Sequence, residues 1–405
     1  MIKNKVTYNL YPISLYARQI AGSLILFIIA RYLSVYDFGL FSSYKNVAIF
    51  CFMFANLDYH NYILVSSKAN VKEVQLKISL FLLNAISIGI MIALVSTFFH
   101  LDSHILFILV VIRTFFDGTF FSLILPYFQA TKTFNTIAKI NIIYAVCIST
   151  IAIISYIFKL SLYKFLLLNI CLGLINFIQC SYFAKINYLL VFNHIKRFCK
   201  MLDKSIWAYI GVSIASFLYS QLSSLYVSTF LAKEQAALYF SAFTIASVVG
   251  ILIAAQVQKM MPDLINNSIE NIKLILKNNL KILLIITCGL FLFMLLFGKI
   301  LLLVLYGQNY YGNAYPILLI LMLGNICVAE ACVYGAYITA SGNQKKKIPM
   351  QLEATVLTIL GLIILHKFGI YGAALSFLFA AIYISFRYTV FTLKLIKEKE
   401  TNEKN

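Results

Sequence analysis

The sequence predicts an all-α polytopic membrane protein: twelve transmembrane helices in two six-helix bundles, related by a parallel pseudo-twofold repeat around a central cleft. Three observations lead there: an apolar composition, twelve long apolar runs, and an echo between the two halves of the chain. Of the 405 residues 62% are hydrophobic and 12% charged, and the mean hydropathy is +0.89. Soluble domains run about 45–50% apolar and about 25% charged. A hydrocarbon core about 30 Å thick takes roughly 20 apolar residues per helical crossing, so the apolar residues here are material for about twelve crossings. What remains serves every loop and both tails. It leaves no room for an extramembrane domain of ordinary size, which excludes a tethered soluble enzyme, a pump carrying its own nucleotide domain and a transporter relying on a large periplasmic module.

In chain order the apolar runs cover 9–33, 40–64, 75–99, 104–131, 137–158, 163–186, 205–231, 237–260, 279–305, 313–340, 349–366 and 371–394. Helix is the default, because lipid offers no partner to unpaired backbone groups and the runs are too long and uniformly apolar for barrel strands. Pro12, Pro316 and Pro349 fall near run starts, Pro126 near an end and Pro262 just after one, where a missing N–H matters least. The longest inner loop, 187–204 (NYLLVFNHIKRFCKMLDK), divides the runs six and six. The bundles are therefore expected at 1–195 and 205–395, with a cytoplasmic linker at 196–204 and a solvated cytoplasmic tail at 396–405. A second inner stretch, 262–278, places Leu264, Ile265, Ile269, Ile272, Ile275 and Leu276 at helical spacing. That pattern predicts a helix lying along the inner membrane surface. The first apolar run leads into a second rather than to a small-residue cleavage site, so no cleavable signal peptide is expected.

A net charge of +19 would point to nucleic acid in a soluble protein. Here the basic residues gather between apolar runs, as membrane topology demands, and no nucleic-acid partner is expected. With the N-terminus inside, 23 of the 33 Lys and Arg fall on inner stretches, 6 at the outer side and 4 within runs. This bias sets both termini in the cytoplasm. The eight cysteines are scattered, without C-x-x-C pairs or a nearby histidine at ligand spacing, and read as small buried hydrophobes. No metal and no cofactor is expected.

The echo joins YLSVYDFGLFSS (32–43) to FLAKEQAALYFS (230–241) at an offset of 198, where the first two runs of each half meet. A second joins YFQAT (127–131) to YITAS (337–341), between the fourth and fifth runs of each half. Six is even, so the halves share one orientation and relate by an axis along the membrane normal. Two such bundles facing each other frame a cleft, as alternating access requires.

ARYLSVYDFGLFSSYKNVAIF (30–50) resembles the first-loop pattern of polysaccharide-lipid (O-antigen type) flippases, within the multidrug/oligosaccharidyl-lipid/polysaccharide exporter superfamily. LYGQNYYGNAYPILLILMLG (305–324) resembles their stretch into the tenth span. YGAYITASGNQKKKIP (334–349), followed by FGIYGAALSF (368–377), resembles their last loop and twelfth span. The resemblance implies a bacterial inner-membrane protein that moves an undecaprenyl-diphosphate-linked oligosaccharide, such as an O-antigen unit, from the inner to the outer leaflet. A polysaccharide polymerase and a chain-length regulator are the protein partners to look for.

Charges inside spans are costly unless they face a cavity or a partner, so each is a functional candidate. Arg18 lies deep in the first run, where it either caps carbonyls within the bundle or lines the cleft. Arg113 and Asp117 stand four apart on one helix face, as a structural ion pair or as a gate. Lys45 and Arg31 are near enough to span ends to snorkel; Arg387 lies in the twelfth run. These five cations are the candidates for the substrate diphosphate, because arginine offers paired donors to phosphate oxygens. Asp117, Glu330 and Asp58 are the candidates for coupling or gating, with Glu353 close to the headgroups. The tyrosines at run ends, among them Tyr8, Tyr11, Tyr59, Tyr62, Tyr306, Tyr310 and Tyr311, read either as interface belts or as saccharide grips. Asn56, Asn84, Asn141, Gln179, Gln221, Gln256 and Asn325 read as helix glue or as contacts to sugar hydroxyls.

There is no Walker A loop, no G-x-S-x-G and no H-E-x-x-H. The reading is a transporter rather than an enzyme, driven by an H+ or Na+ gradient or by the membrane potential. Two other functions stay open. A multidrug cation antiporter of the same superfamily needs an acidic cavity, and a membrane polymerase or glycosyltransferase needs a sizeable outer loop.

Overall fold

A computed structural model describes residues 2–56, 59, 63, 70–96, 102–131, 133–186, 206–265 and 268–404. Within them the regular structure is helical throughout, and each of the twelve apolar runs falls in helix. In chain order the α-helices are α1 (Ile2–Tyr32), α2 (Val35–Asn56), α3 (Val71–Ser96), α4 (His104–Thr114), α5 (Phe120–Ala130), α6 (Phe134–Ile157) and α7 (Leu162–Phe183). They continue as α8 (Ile206–Phe230), α9 (Lys233–Ile265), α10 (Ile269–Tyr306), α11 (Gln308–Ala340), α12 (Lys347–Ile364) and α13 (Gly369–Lys404). A π-helical turn, Phe115–Thr119, joins α4 to α5 as one rod. Among the described residues ten spans are long and apolar enough to cross a membrane, and Ile20–Tyr32 of α1 is a shorter apolar piece. The chain is a multi-pass membrane protein. It divides into two compact units, Met1–Ile210 and Gly211–Asn405.

In the first unit α1 packs on α6, α2 on α3 and α4, and α7 on α4 and α6. In the second, α11 is the central helix and packs on α9, α10 and α13, while α12 packs on α13. Burial by lipid gives no hydrophobic drive for helix association, so small residues must admit close approach. Gly324 of α11 is such a position: a Cβ there would stand 2.5 Å from Phe377 Cε1 of α13. The outward faces stay apolar, as on α10, where Ile285, Leu292, Leu296, Ile300 and Val304 are exposed. Hydrocarbon is the solvent that suits them.

The echoed segments fold alike at the offsets the sequence gives. α1 ends at Tyr32 and α2 starts at Val35; α8 ends at Phe230 and α9 starts at Lys233, each break two residues long. In the first, Ser34 Oγ accepts from the Asp37 N–H at 3.0 Å and donates to Asp37 Oδ2 at 2.7 Å, an N-cap that starts the new helix. At the second pair Thr133 N donates to Phe128 O and Asn343 N to Ile338 O, both at 3.0 Å. These five-residue closures satisfy carbonyls at a helix end.

Two expectations need correction. The stretch 262–278 is not a separate surface helix: it ends α9 and starts α10, and Leu264, Ile269, Ile272 and Leu276 are buried against protein. The C-terminal tail, expected as a solvated end, continues α13 as a largely exposed helix, with Lys273 of α10 paired to Glu400. Tyr306 and Tyr310 are no interface belt, because both are 2% exposed and their rings meet at 5.4 Å. Tyr59 is buried as well, stacked on Phe81.

Candidate functional site

Asp117 owes its position to the π turn. FFDGT places two weak helix formers, Asp117 and Gly118, in mid-span, and the helix widens there to close Phe120 N–H on Phe115 O. Such turns redirect side chains and are frequent at functional sites. α7 holds the turn from behind. Gly173 lies so close that a Cβ on it would stand 2.6 Å from Phe116 Cβ. Gly173→Val is therefore expected to cost about 1–3 kcal/mol by overpacking, read as a lowered unfolding midpoint of the purified protein; an unchanged midpoint would show that the contact positions nothing.

Four of the singled-out charges meet here, within the first unit. Arg113 is 4% exposed, and its Nε stands 3.2 Å from Asp117 Oδ2, an ion-pair contact whose angle falls short of a hydrogen bond. Its guanidinium also lies over the rings of Phe41 and Phe165, at 5.3 and 5.5 Å. Arg18 of α1 is 9% exposed; its Nη2 donates to the Asp117 backbone oxygen at 3.2 Å and its Nη1 to Asn141 Oδ1 at 3.3 Å. It is sandwiched by Phe121 and Tyr144, with ring centroids at 3.9 and 4.2 Å. Cation–π contact of this kind is strongest where water is excluded. The Tyr144 hydroxyl donates to Asp117 Oδ1, and Asn141 passes the chain on to Ser14 Oγ at 3.4 Å. Lys45 of α2, half-buried, is within electrostatic range of both Arg113 and Asp117.

One cation, Arg113, thus touches the carboxylate, and two more, Arg18 and Lys45, lie within its electrostatic reach. Counted along the helices, Asp117 lies about 20 Å from Ser103, and Arg18 about 20 Å from the α1–α2 turn, which is mid-membrane depth. Asp117 nevertheless keeps 29% of its side chain exposed. A carboxylate left part-exposed at that depth is costly unless it faces a hydrated space or a partner.

The other candidates lie elsewhere. Arg31 is exposed in the last turn of α1. Asp58 lies outside the described residues. Arg387 belongs to the second unit, where its Nη2 reaches Glu353 Oε2 at 3.0 Å and Oε1 at 3.2 Å, and Tyr383 donates to Glu353 Oε2 at 2.5 Å. Both partners of that pair are about two-fifths exposed, 40% and 42%. Glu330 is a separate site on α11, accepting from Ser385 Oγ at 2.7 Å and Thr389 Oγ1 at 3.1 Å of α13. Sequence reasoning missed Tyr144 and Phe121 as partners of Arg18, and missed the π turn. The Asp-Gly pair in mid-span was its one visible signal.

A family model described as "polysaccharide biosynthesis protein" matches residues 28–315. Among solved structures the chain is similar to the lipid II flippase MurJ in an inward closed conformation, at 16% identity over 95% of this chain and 87% of that one, with a TM-score of 0.71. It is also similar to a multidrug resistance MATE family transporter of the MOP superfamily. For the inward-facing form identity is 13%, coverage 98% and 95%, and the TM-score 0.59; for the outward-facing form they are 12%, 96% and 97%, and 0.57. At these identities the likeness concerns the fold. No curated protein sequence matches significantly.

Proposed function

Since the chain belongs to the polysaccharide biosynthesis protein family, we propose that it is a flippase for an undecaprenyl-diphosphate-linked oligosaccharide, an O-antigen or other surface-polysaccharide repeat unit. It carries the headgroup from the inner to the outer leaflet of the bacterial inner membrane by alternating access between its two halves, while the polyprenyl tail stays in lipid. Both termini are cytoplasmic on this reading, in keeping with the 23 of 33 basic residues on one side.

The observation that carries the proposal is the cluster of Arg18, Lys45 and Arg113 around the part-exposed Asp117. Its charge excess suits a diphosphate, and Arg113 and Lys45 gain in strength from the low dielectric around them. A cationic drug would meet three like charges there, which speaks against the antiporter. Leaflet-resolved detection of lipid-linked sugar in a deletion strain tests the proposal. Loss of outer-leaflet delivery is expected. Normal delivery overturns it, and a change in glycan chain length alone favours a polymerase.

Energy comes on this reading from an H+ or Na+ gradient or from the membrane potential, with Asp117 and Glu330 as the groups that take the ion. Polymerase and chain-length regulator receive the product. Glu330→Gln keeps the shape and removes the charge that Ser385 and Thr389 hold. Transport by that variant is expected to lose its dependence on the imposed gradient in proteoliposomes, falling to the rate seen without one. Unchanged gradient dependence removes Glu330 from the coupling role.

A further inference from the structure

Within the second unit a cavity of about 190 Å³ opens between α8, α9, α11 and α13. It lies near the middle of all of these helices but α13, where hydrocarbon is the alternative surrounding, yet polar groups line it: Ser220, Gln221, Ser247 and Asn325. A dry apolar void needs no such lining, and a polar one at that depth marks a place for something hydrated. At about 30 Å³ per water in the liquid, the space holds roughly six waters, the displacement of one sugar ring rather than of a lipid chain.

The polar groups have bonding capacity to spare. Asn325 Nδ2 donates to Ala246 O at 2.9 Å, which fixes the amide and leaves its oxygen as an acceptor. Gln221 Oε1 accepts from Ser224 at 3.1 Å, which leaves its NH2 as a paired donor. Ser220 and Ser247 give their protons to the Phe217 and Thr244 carbonyls and so present lone pairs only. Tyr219, Phe243 and Phe377 supply ring surface in the same wall. Alternating donors, acceptors and aromatic faces are what a pyranose requires, since each hydroxyl both gives and takes a hydrogen bond and the C–H face is apolar. Among the described residues no lysine, arginine or acid lines the cavity, so these residues offer a charged headgroup no counter-charge there. Gly250 completes the wall, and a Cβ on it would meet nothing within 4 Å.

We infer that this cavity is a saccharide subsite: it takes one neutral sugar ring of the transported headgroup and reads its hydroxyls through Gln221 and Asn325. The inference rests on the flippase reading and adds the place where the sugar itself is recognised.

The full-length protein is titrated by native mass spectrometry with two lipids. One is undecaprenyl diphosphate. The other is the lipid-linked oligosaccharide extracted from cells lacking the gene. Wild type is expected to prefer the saccharide lipid by about tenfold or more. Gln221→Leu loses about three- to tenfold of that preference, the worth of one neutral hydrogen bond. Gly250→Leu fills the space without removing any hydrogen bond and abolishes the preference. Both variants bind undecaprenyl diphosphate as wild type does. Equal binding of the two lipids by wild type, or a preference kept in Gly250→Leu, overturns the inference and leaves the flippase reading standing. Failure of wild type to bind either lipid overturns the flippase reading itself.

Discussion

Replacing Arg18 with glutamate is expected to stop delivery of lipid-linked sugar to the outer leaflet while the chain still accumulates in the membrane. The substitution removes one cation from the group around Asp117 and sets a second carboxylate beside it. It also deletes the two donors that bind the Asp117 carbonyl and Asn141. Truncating one partner of a buried, hydrogen-bonded charge contact costs about 2–5 kcal/mol, and the midpoint of that range is a factor of several hundred in affinity. Arg18→Lys keeps the charge but loses the planar fork and its stacking between Phe121 and Tyr144, so an intermediate loss is expected. The leaflet-resolved assay separates the three proteins. Full delivery by Arg18→Glu at normal abundance would remove Arg18 from any role in handling the diphosphate.

Arg113→Leu is expected to give the largest loss of stability, about 3 kcal/mol or more, because a buried charge pair broken on one side leaves the other charge uncompensated. Asp117 retains Tyr144 as donor, which limits the damage. The double variant Arg113→Leu, Asp117→Leu removes both charges and is expected to recover most of that stability, since apolar replacement of a whole pair is often neutral or favourable. Transport should stay lost in both. Thermal unfolding of the purified proteins reads the first quantity and the leaflet assay the second. A stable double variant that still transports would reduce the pair to helix glue.

Much of the fold was legible in the sequence, because its signal is local. Apolar runs fix the helices, and the two-residue breaks at Leu33–Ser34 and Leu231–Ala232 stand at the offset of 198 that the text match gave. What failed depended on tertiary burial. Tyr306 and Tyr310 sit at a run end, yet they turn into the second unit instead of the interface. The amphipathic stretch around Ile269 and Ile272 found protein for its apolar face, and periodicity alone does not tell protein from membrane surface.

The candidate site was legible in its charges and illegible in its wiring. Each of Arg18, Lys45, Arg113 and Asp117 is visible as a cost that a lipid-facing helix would not bear. Their meeting rests on pairings across 99 and 123 residues, and on a π turn that adds one residue to a helical circuit. No spacing rule reaches either. Arg387, equally conspicuous in the text, proves to be held by Glu353 and Tyr383 in the second unit.

Hydration of the cluster is the most direct point of attack. Gly118 adjoins Asp117 on the π turn, is exposed, and has open space where a side chain would go. In a chain whose eight native cysteines are replaced, Gly118→Cys is treated with membrane-impermeant thiosulfonates of opposite charge. The account predicts labelling from water, with the anionic reagent favoured about tenfold over its cationic counterpart relative to a free thiol, as a net positive local potential requires. A cysteine at 118 that neither reagent reaches, or one that reacts with no preference for the anion, would contradict it.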